Sequence, residues 1–223
     1  MTRGVLILLA IALLASLAVP GYAADKEAIK IELPEPSFMG TPLPYWSPQL
    51  EPEDYRDRPD YLAPKGTVVV SKGKAVTSSW KEPLIGTLKQ LTDGDKDFGA
   101  PSLIELGAGV QWVQIDLEKG CDIYAIVVWH YHENKRVYFD IVAKAGNDQD
   151  FKDGVVTLYN NDHDNSAGLG VGKDKEYIEN YKGRLIKAAA GVKARYVRLY
   201  SNGCTANEMN NYVEIEVFGI PAQ

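Results

Sequence analysis

Residues 109–129 constrain this chain more than any other stretch. Within 113–117, Val113, Ile115 and Leu117 alternate with Gln114 and Asp116, the two-residue period of a strand with one face in a core. After Glu118, Lys119 and Gly120 comes 123–129, apolar at nearly every position. A strand that is apolar on both faces is covered on both faces. The pair therefore predicts the centre of a sheet, with one strand buried on two sides.

The remaining texture agrees. Strands are predicted at 67–70, 75–79, 113–117, 123–129, 137–143, 155–159, 194–200 and 212–218, separated by Gly, Asn and Asp clusters. No amphipathic helix is evident, and 173–182 is charged enough to be a surface turn of helix or a loop. Many short strands without helical alternation predict an all-β sandwich or barrel.

The N-terminus carries a different signal. Arg3 precedes an apolar run at 5–19, then Pro20, Gly21, Tyr22 and Ala23, and the polar Asp25 and Lys26. That pattern predicts a secretory signal peptide over 1–23 and a secreted, periplasmic or extracellular destination; an uncleaved membrane anchor is the competing reading. Nothing else is apolar enough to cross a membrane, so no integral span is expected in the mature chain. Loss of Arg3 takes the net charge from -6 to -7. Such acidity argues against nucleic acid as a partner, because phosphate needs a basic face.

Residues 24–65 are expected to form an extended arm or linker. Pro34, Pro36, Pro42, Pro44, Pro48, Pro52, Pro59 and Pro64 are interspersed with Phe38, Tyr45, Trp46, Tyr55 and Tyr61. These aromatics either serve a partner or pack on the outside of the domain that follows. Only two cysteines exist, Cys121 and Cys204. In an exported protein they can form one disulfide across a long loop, or stay as two thiols.

The series Lys74-Ala-Val-Thr-Ser-Ser79, Leu91-Thr-Asp-Gly-Asp95, Gln111-Trp-Val-Gln-Ile-Asp-Leu117, 123–129, Ala194-Arg-Tyr-Val-Arg-Leu-Tyr200 and Tyr212-Val-Glu-Ile-Glu-Val-Phe-Gly219 resembles the coagulation-factor type C, or discoidin, domain. That family belongs to the galactose-binding-like jelly rolls, which include many bacterial carbohydrate-binding modules. The resemblance covers 66–220 and implies a jelly-roll β-sandwich following the proline-rich arm. Its members bind sugars, phospholipid head groups or proteins, so the ligand is a separate question.

The resemblance further implies a structural Ca²⁺ held by the Asp93 and Glu214 carboxylates, helped by the carbonyls of Gln90, Asp95, Phe98 and Val213. Phe98 departs from the family's Thr or Ser and removes a hydroxyl ligand. Alternatively, Asp93 caps its own turn and Glu214 pairs with a base.

Two loops carry the candidate ligand chemistry. The loop after 129 offers His130, Tyr131, His132, Arg136 and Tyr138, flat rings and forked donors of the kind that hold a sugar. The loop 159–173 offers Asp162, His163, Asp164 and Asn165. It fails as an EF-hand, with Ala167 at the glycine position and Lys173 at the closing glutamate. His130, His132 and His163 are the only histidines, and a metal-dependent enzyme built on them is one alternative. No nucleophile motif is present. The leading expectation is a non-catalytic module that binds carbohydrate or glycoconjugate through loops at one end of the sandwich. Cell-surface adhesion by docking another protein is the other alternative.

Overall fold

In a computed structural model the described residues are 25–36 and 44–222. The expected signal peptide, Phe38 and Pro42 lie outside them. Ten strands follow in order: β1 Lys26–Ala28, β2 Leu62–Pro64, β3 Val68–Val69, β4 Val76–Ser78, β5 Ile104–Leu106, β6 Gln111–His130, β7 Val142–Gly146, β8 Val156–Asn160, β9 Arg184–Ser201 and β10 Asn210–Pro221. Two short 3₁₀ turns, Leu88–Thr92 and Ala100–Ser102, lie between β4 and β5. Among the described residues, no helix is long and apolar enough to cross a membrane.

The sheet order is β3-β10-β6-β9-β7-β8, antiparallel throughout, with β4 added to β6 and β5 to β10. The two central runs of the sequence are one strand, β6, which is 20 residues long. Its ladder to β9 shifts register between Asp116 and Cys121. Glu118, in the left-handed region at φ 68, marks the irregularity, and the Asp116 carboxylate caps it by accepting the Glu118 N–H at 2.7 Å. Val113, Ile115 and Leu117 before this point share one core with Ile123, Ile126 and Val128 after it, so the sheet closes on its own inner face.

The outer faces of the two halves differ. Over the second half, Ala125, Val127 and Trp129 join Val213 and Phe218 of β10 in a separate buried cluster, completed by Ile29 and Ala63 from the N-terminal segment. The uniformly apolar run 123–129 is therefore covered twice, by the core and by Ile29, Ile31, Tyr61 and Ala63. The described parts of the proline-rich segment pack on the outside of the sandwich, one of the two alternatives open for its aromatics. β1 pairs with β2, and the Tyr61 hydroxyl donates to the Tyr124 carbonyl at 3.0 Å. Further along, Glu51 pairs with Arg184 at 2.5 Å and Glu53 with Lys135 at 2.8 Å.

Of the two forms expected for 173–182 the structure takes the loop, with Glu176 and Ile178 in bridges to Leu50 and Val137. Other expectations need correction. The strand expected over 137–143 starts only at Val142, because Asp140 takes a left-handed φ of 52 and breaks the extension. Cys121 and Cys204 are separate buried thiols. Cys121 sits beside the register shift, opposite Ala194 and Pro221, whereas Cys204 bridges to Tyr138 beyond the end of β9, so the fold holds them at different places.

Candidate functional site

His130 ends β6, and its ring is wholly buried between Tyr138, stacked at 4.4 Å, and Tyr212 at 4.9 Å. Its Nδ1 lies 2.9 Å from Glu179 Oε2. His132 is also wholly buried, with Nε2 2.9 Å from the Lys96 carbonyl. The His-Tyr-His alternation does put both imidazoles on one face, and that face points inward. Tyr138 is interior too; its hydroxyl donates to the Tyr131 carbonyl at 3.2 Å, and burial pushes its pKa well up. These three residues, expected on a ligand-facing loop, are part of the packing.

Tyr131 and Arg136 remain half-buried. Arg136 lies 4.7 Å over the Tyr131 ring and donates to Asn211 Oδ1 at 3.3 Å. The Tyr131 hydroxyl donates to Glu133, and burial followed by that carboxylate pushes it up to about 12. His163 belongs to the other loop. Among the described residues, the one converging group of metal-ligating side chains contains no histidine, so the three-imidazole centre does not form.

The Asp93 turn keeps both of its expected possibilities in view. Asp93 Oδ1 accepts the Asp95 N–H at 2.8 Å, the local cap. Asp95 accepts from the Asp97 N–H at 3.0 Å and the Ser102 hydroxyl at 2.7 Å, while Gln90 is tied to Thr87 and Pro101. The Phe98 ring stands edge-on to His132. Glu214 does not take a base as its partner. Lys96 pairs with Glu216 at 2.8 Å, and Glu214 Oε2 is buried without a hydrogen bond. Burial, then the nearby Glu216 and Asp93 charges, pushes this carboxyl up to about 8, against a lowering contact from the Gly94 backbone. An enclosed, unsatisfied carboxylate oxygen next to an aspartate turn has the chemistry of a hard-cation site, so these residues fit Ca²⁺.

The second loop meets the β6–β7 connection at one end of the sandwich. The Phe139 N–H donates to the Gly203 carbonyl and the Asn202 N–H to the Phe139 carbonyl, both at 3.0 Å. Asp140 Oδ2 accepts from Ser166 Oγ and Asn202 Nδ2, each at 2.8 Å. Asp162 is buried and accepts the N–H groups of Ser166 and Ala167; Asp164 also accepts from Ser166. Burial raises the Asp162 carboxyl, while the Ser166 hydroxyl and N–H lower that of Asp164. Asn165, at φ 60, accepts the Gly170 N–H. Oxygens of Asp140, Asp162 and Asp164 all lie within 4.8 Å of one another.

Beside this cluster opens a concavity of about 510 Å³, lined by Gly109, Phe139 and residues 202–208. Tyr45 of the N-terminal segment tilts against Phe139 at 5.8 Å. The structure thus brings Asp162 and Asp164 together with Asp140, whose partner Asn202 lines the neighbouring recess with Phe139; Phe139, Asp140 and Asn202 are not among the candidates drawn from the sequence. The only trace of them in sequence is the Asn202-Gly203 turn and a Phe-Asp pair that breaks strand alternation.

No protein-family model matches the sequence, and no curated protein matches it. Solved structures do match. A family 89 glycoside hydrolase from Clostridium perfringens, in complex with GlcNAc-α-1,4-galactose, matches at 18% identity and a TM-score of 0.50, over 70% of this chain and 15% of that enzyme. The carbohydrate-binding module of AlyQ, in complex with 4,5-unsaturated mannuronic acid, matches at 19% identity and a TM-score of 0.46, over 65% of this chain and 93% of the module. A pectin-binding carbohydrate-binding module matches at 20% identity and 0.46, over 66% and 91%. At these identities the likeness concerns the fold alone, a jelly-roll β-sandwich of the kind expected from the motif order.

Proposed function

We propose that this chain is an exported, non-catalytic module that binds carbohydrate or glycoconjugate at the loop end of its sandwich. The observation that carries the reading is the half-buried Phe139 ring beside the hydrogen-bonded Asp140–Asn202 pair, at the mouth of the 510 Å³ recess. A sugar presents an apolar ring face and paired hydroxyls, and this recess offers an aromatic next to both acceptors and donors. Support also comes from the fold, since solved proteins that share it include carbohydrate-binding modules and a glycoside hydrolase domain. A glycan array probed with the secreted chain should return saccharide hits that Phe139→Ala and Asn202→Ala both weaken. Hits untouched by either substitution would remove the site from this end.

The same proposal places a structural Ca²⁺ on the Asp93 and Glu214 carboxylates, with carbonyls of Gln90, Asp95, Phe98 and Val213 completing the shell. The melting temperature should then fall on adding chelator and recover with Ca²⁺. An unchanged melting curve rejects the ion.

One observation favours a second reading, docking of a surface protein. Trp46 and Tyr55, on the N-terminal segment, are 81% and 73% exposed. A blank glycan array, together with capture of one purified surface protein that Trp46→Ala abolishes, would favour it.

A further inference from the structure

Another cavity, about 550 Å³, lies between residues 51–60 of the N-terminal segment and residues 177–185, which run into the start of β9, with Lys187. Both walls are rigidly joined. Arg58 Nη2 donates to the carbonyls of Lys182 and Gly183, and Lys182 Nζ returns the contact to the Arg56 carbonyl at 2.5 Å.

Most charges here are already paired. Arg56 is held by Asp54 at 2.7 Å, Arg184 by Glu51 at 2.5 Å, and Glu179 by His130 at 2.9 Å. Arg58, like Lys182, is held by backbone carbonyls and not by an acid. Its Nη1 is enclosed and has no hydrogen-bond partner; burial disfavours its charge, the Glu179 carboxylate opposes this in part, and Arg184 adds a smaller unfavourable contribution. A desolvated guanidinium with a spare N–H is a receptor for a carboxylate, which it binds through short charge-assisted bonds. Tyr55, Tyr181 and Pro52 give the same cavity flat apolar walls suited to a sugar ring. Asp57 and Asp60, both exposed, are among its lining residues and repel densely charged polyanions, so a ligand with isolated carboxylates on a ring skeleton is favoured.

We infer that this cleft is a second binding site, specific for an acidic saccharide whose carboxylate is received by Arg58 and whose ring lies against Tyr55 and Tyr181. The site exists only while the N-terminal segment is docked, because that segment supplies Arg58 and Tyr55. It shares no lining residue with the loop-end recess.

Titration calorimetry on the full chain tests it, with tetragalacturonate as probe and its methyl ester as the uncharged control. The acid should bind about tenfold or more tightly than the ester, and the difference should shrink at high salt. Arg58→Ala should abolish the acid–ester difference, and Arg58→Lys should leave part of it. Since Arg58 also clamps the segment, Tyr55→Ala provides a variant at an exposed position. It should weaken acid and ester alike with the melting temperature unchanged. Equal binding of acid and ester overturns the inference, as does a preference that survives Arg58→Ala in a folded protein. Acetate binding as tightly as the oligomer, carboxylate for carboxylate, overturns the saccharide part. Loop-end binding of a neutral glycan with no acid–ester difference would reject this cleft and leave the loop-end reading standing.

Discussion

The two halves of β6 meet the same core with one face and different surroundings with the other. On the first half, Trp112, Gln114 and Asp116 face outward into a ladder of polar contacts. Arg198 lies 4.2 Å over Trp112 and donates to Gln114 at 2.7 Å, and Arg195 pairs with Asp116 at 2.7 Å. On the second half the outward Ala125, Val127 and Trp129 lie beneath the N-terminal segment. A half-solvated strand keeps its alternation, whereas a strand with a third layer loses it. The difference shows that the proline-rich segment is structural: it supplies the cover that the sequence of its partner strand demands, and it also walls the Arg58 cleft.

Removing that cover should have the largest effect. Deletion of residues 24–65 exposes Ala125, Val127, Trp129, Val213 and Phe218 together, at a cost of roughly 5 kcal/mol or more. The truncated chain should aggregate or lose cooperative urea unfolding; an unchanged urea midpoint would show that the segment is only an appendage. Next comes Tyr138→Ala, inside the core beside His130. It should cost about 3–5 kcal/mol by the same measurement, an outcome that a ligand-facing tyrosine would not give.

Gly183→Ala probes the seam between the covered half and the segment. Gly183 has φ 62, and a Cβ there would lie 2.8 Å from the Trp129 ring, so about 2 kcal/mol should be lost. The open half should respond least. Arg195 holds the Asp116 carboxyl below its ordinary value of 3.8. The resulting stability is present above that ordinary value and lost as pH falls through the lowered one. Asp116→Asn should therefore cost no more than about 1 kcal/mol at neutral pH, since the pair is partly exposed, and should flatten the acid limb of a stability–pH curve. A larger loss would mean that the polar ladder carries more of the fold than its exposure suggests.

Much of this architecture is legible in residue order. The alternation of 113–117, the doubly apolar 123–129 and six motifs in series lead to the jelly roll. What covers 123–129 is not legible, because Ile29, Tyr61 and Ala63 are scattered among prolines without any period. The loop end is hidden for a different reason. Phe139, Asp140, Ser166 and Asn202 meet only through pairings between segments far apart in the chain, such as the Tyr138–Cys204 bridge. Histidines and tyrosines draw attention as ligand chemistry, yet at 130, 132 and 138 their hydrogen bonds are met inside the protein. The β5 strand and the alanine-rich start of β9 lacked the β-branched runs that mark strands in sequence.

We propose that ligand is met at the loop end, on a scaffold that does not itself touch it. Backbone amide chemical shifts recorded while the strongest glycan-array hit is added test it most directly. Shifts are expected at Phe139, Asp140, Ser166 and Asn202, with the amides of 123–129 unmoved. Shifts that spare all four of these residues, or a saccharide-saturated chain with an unchanged spectrum, would contradict it.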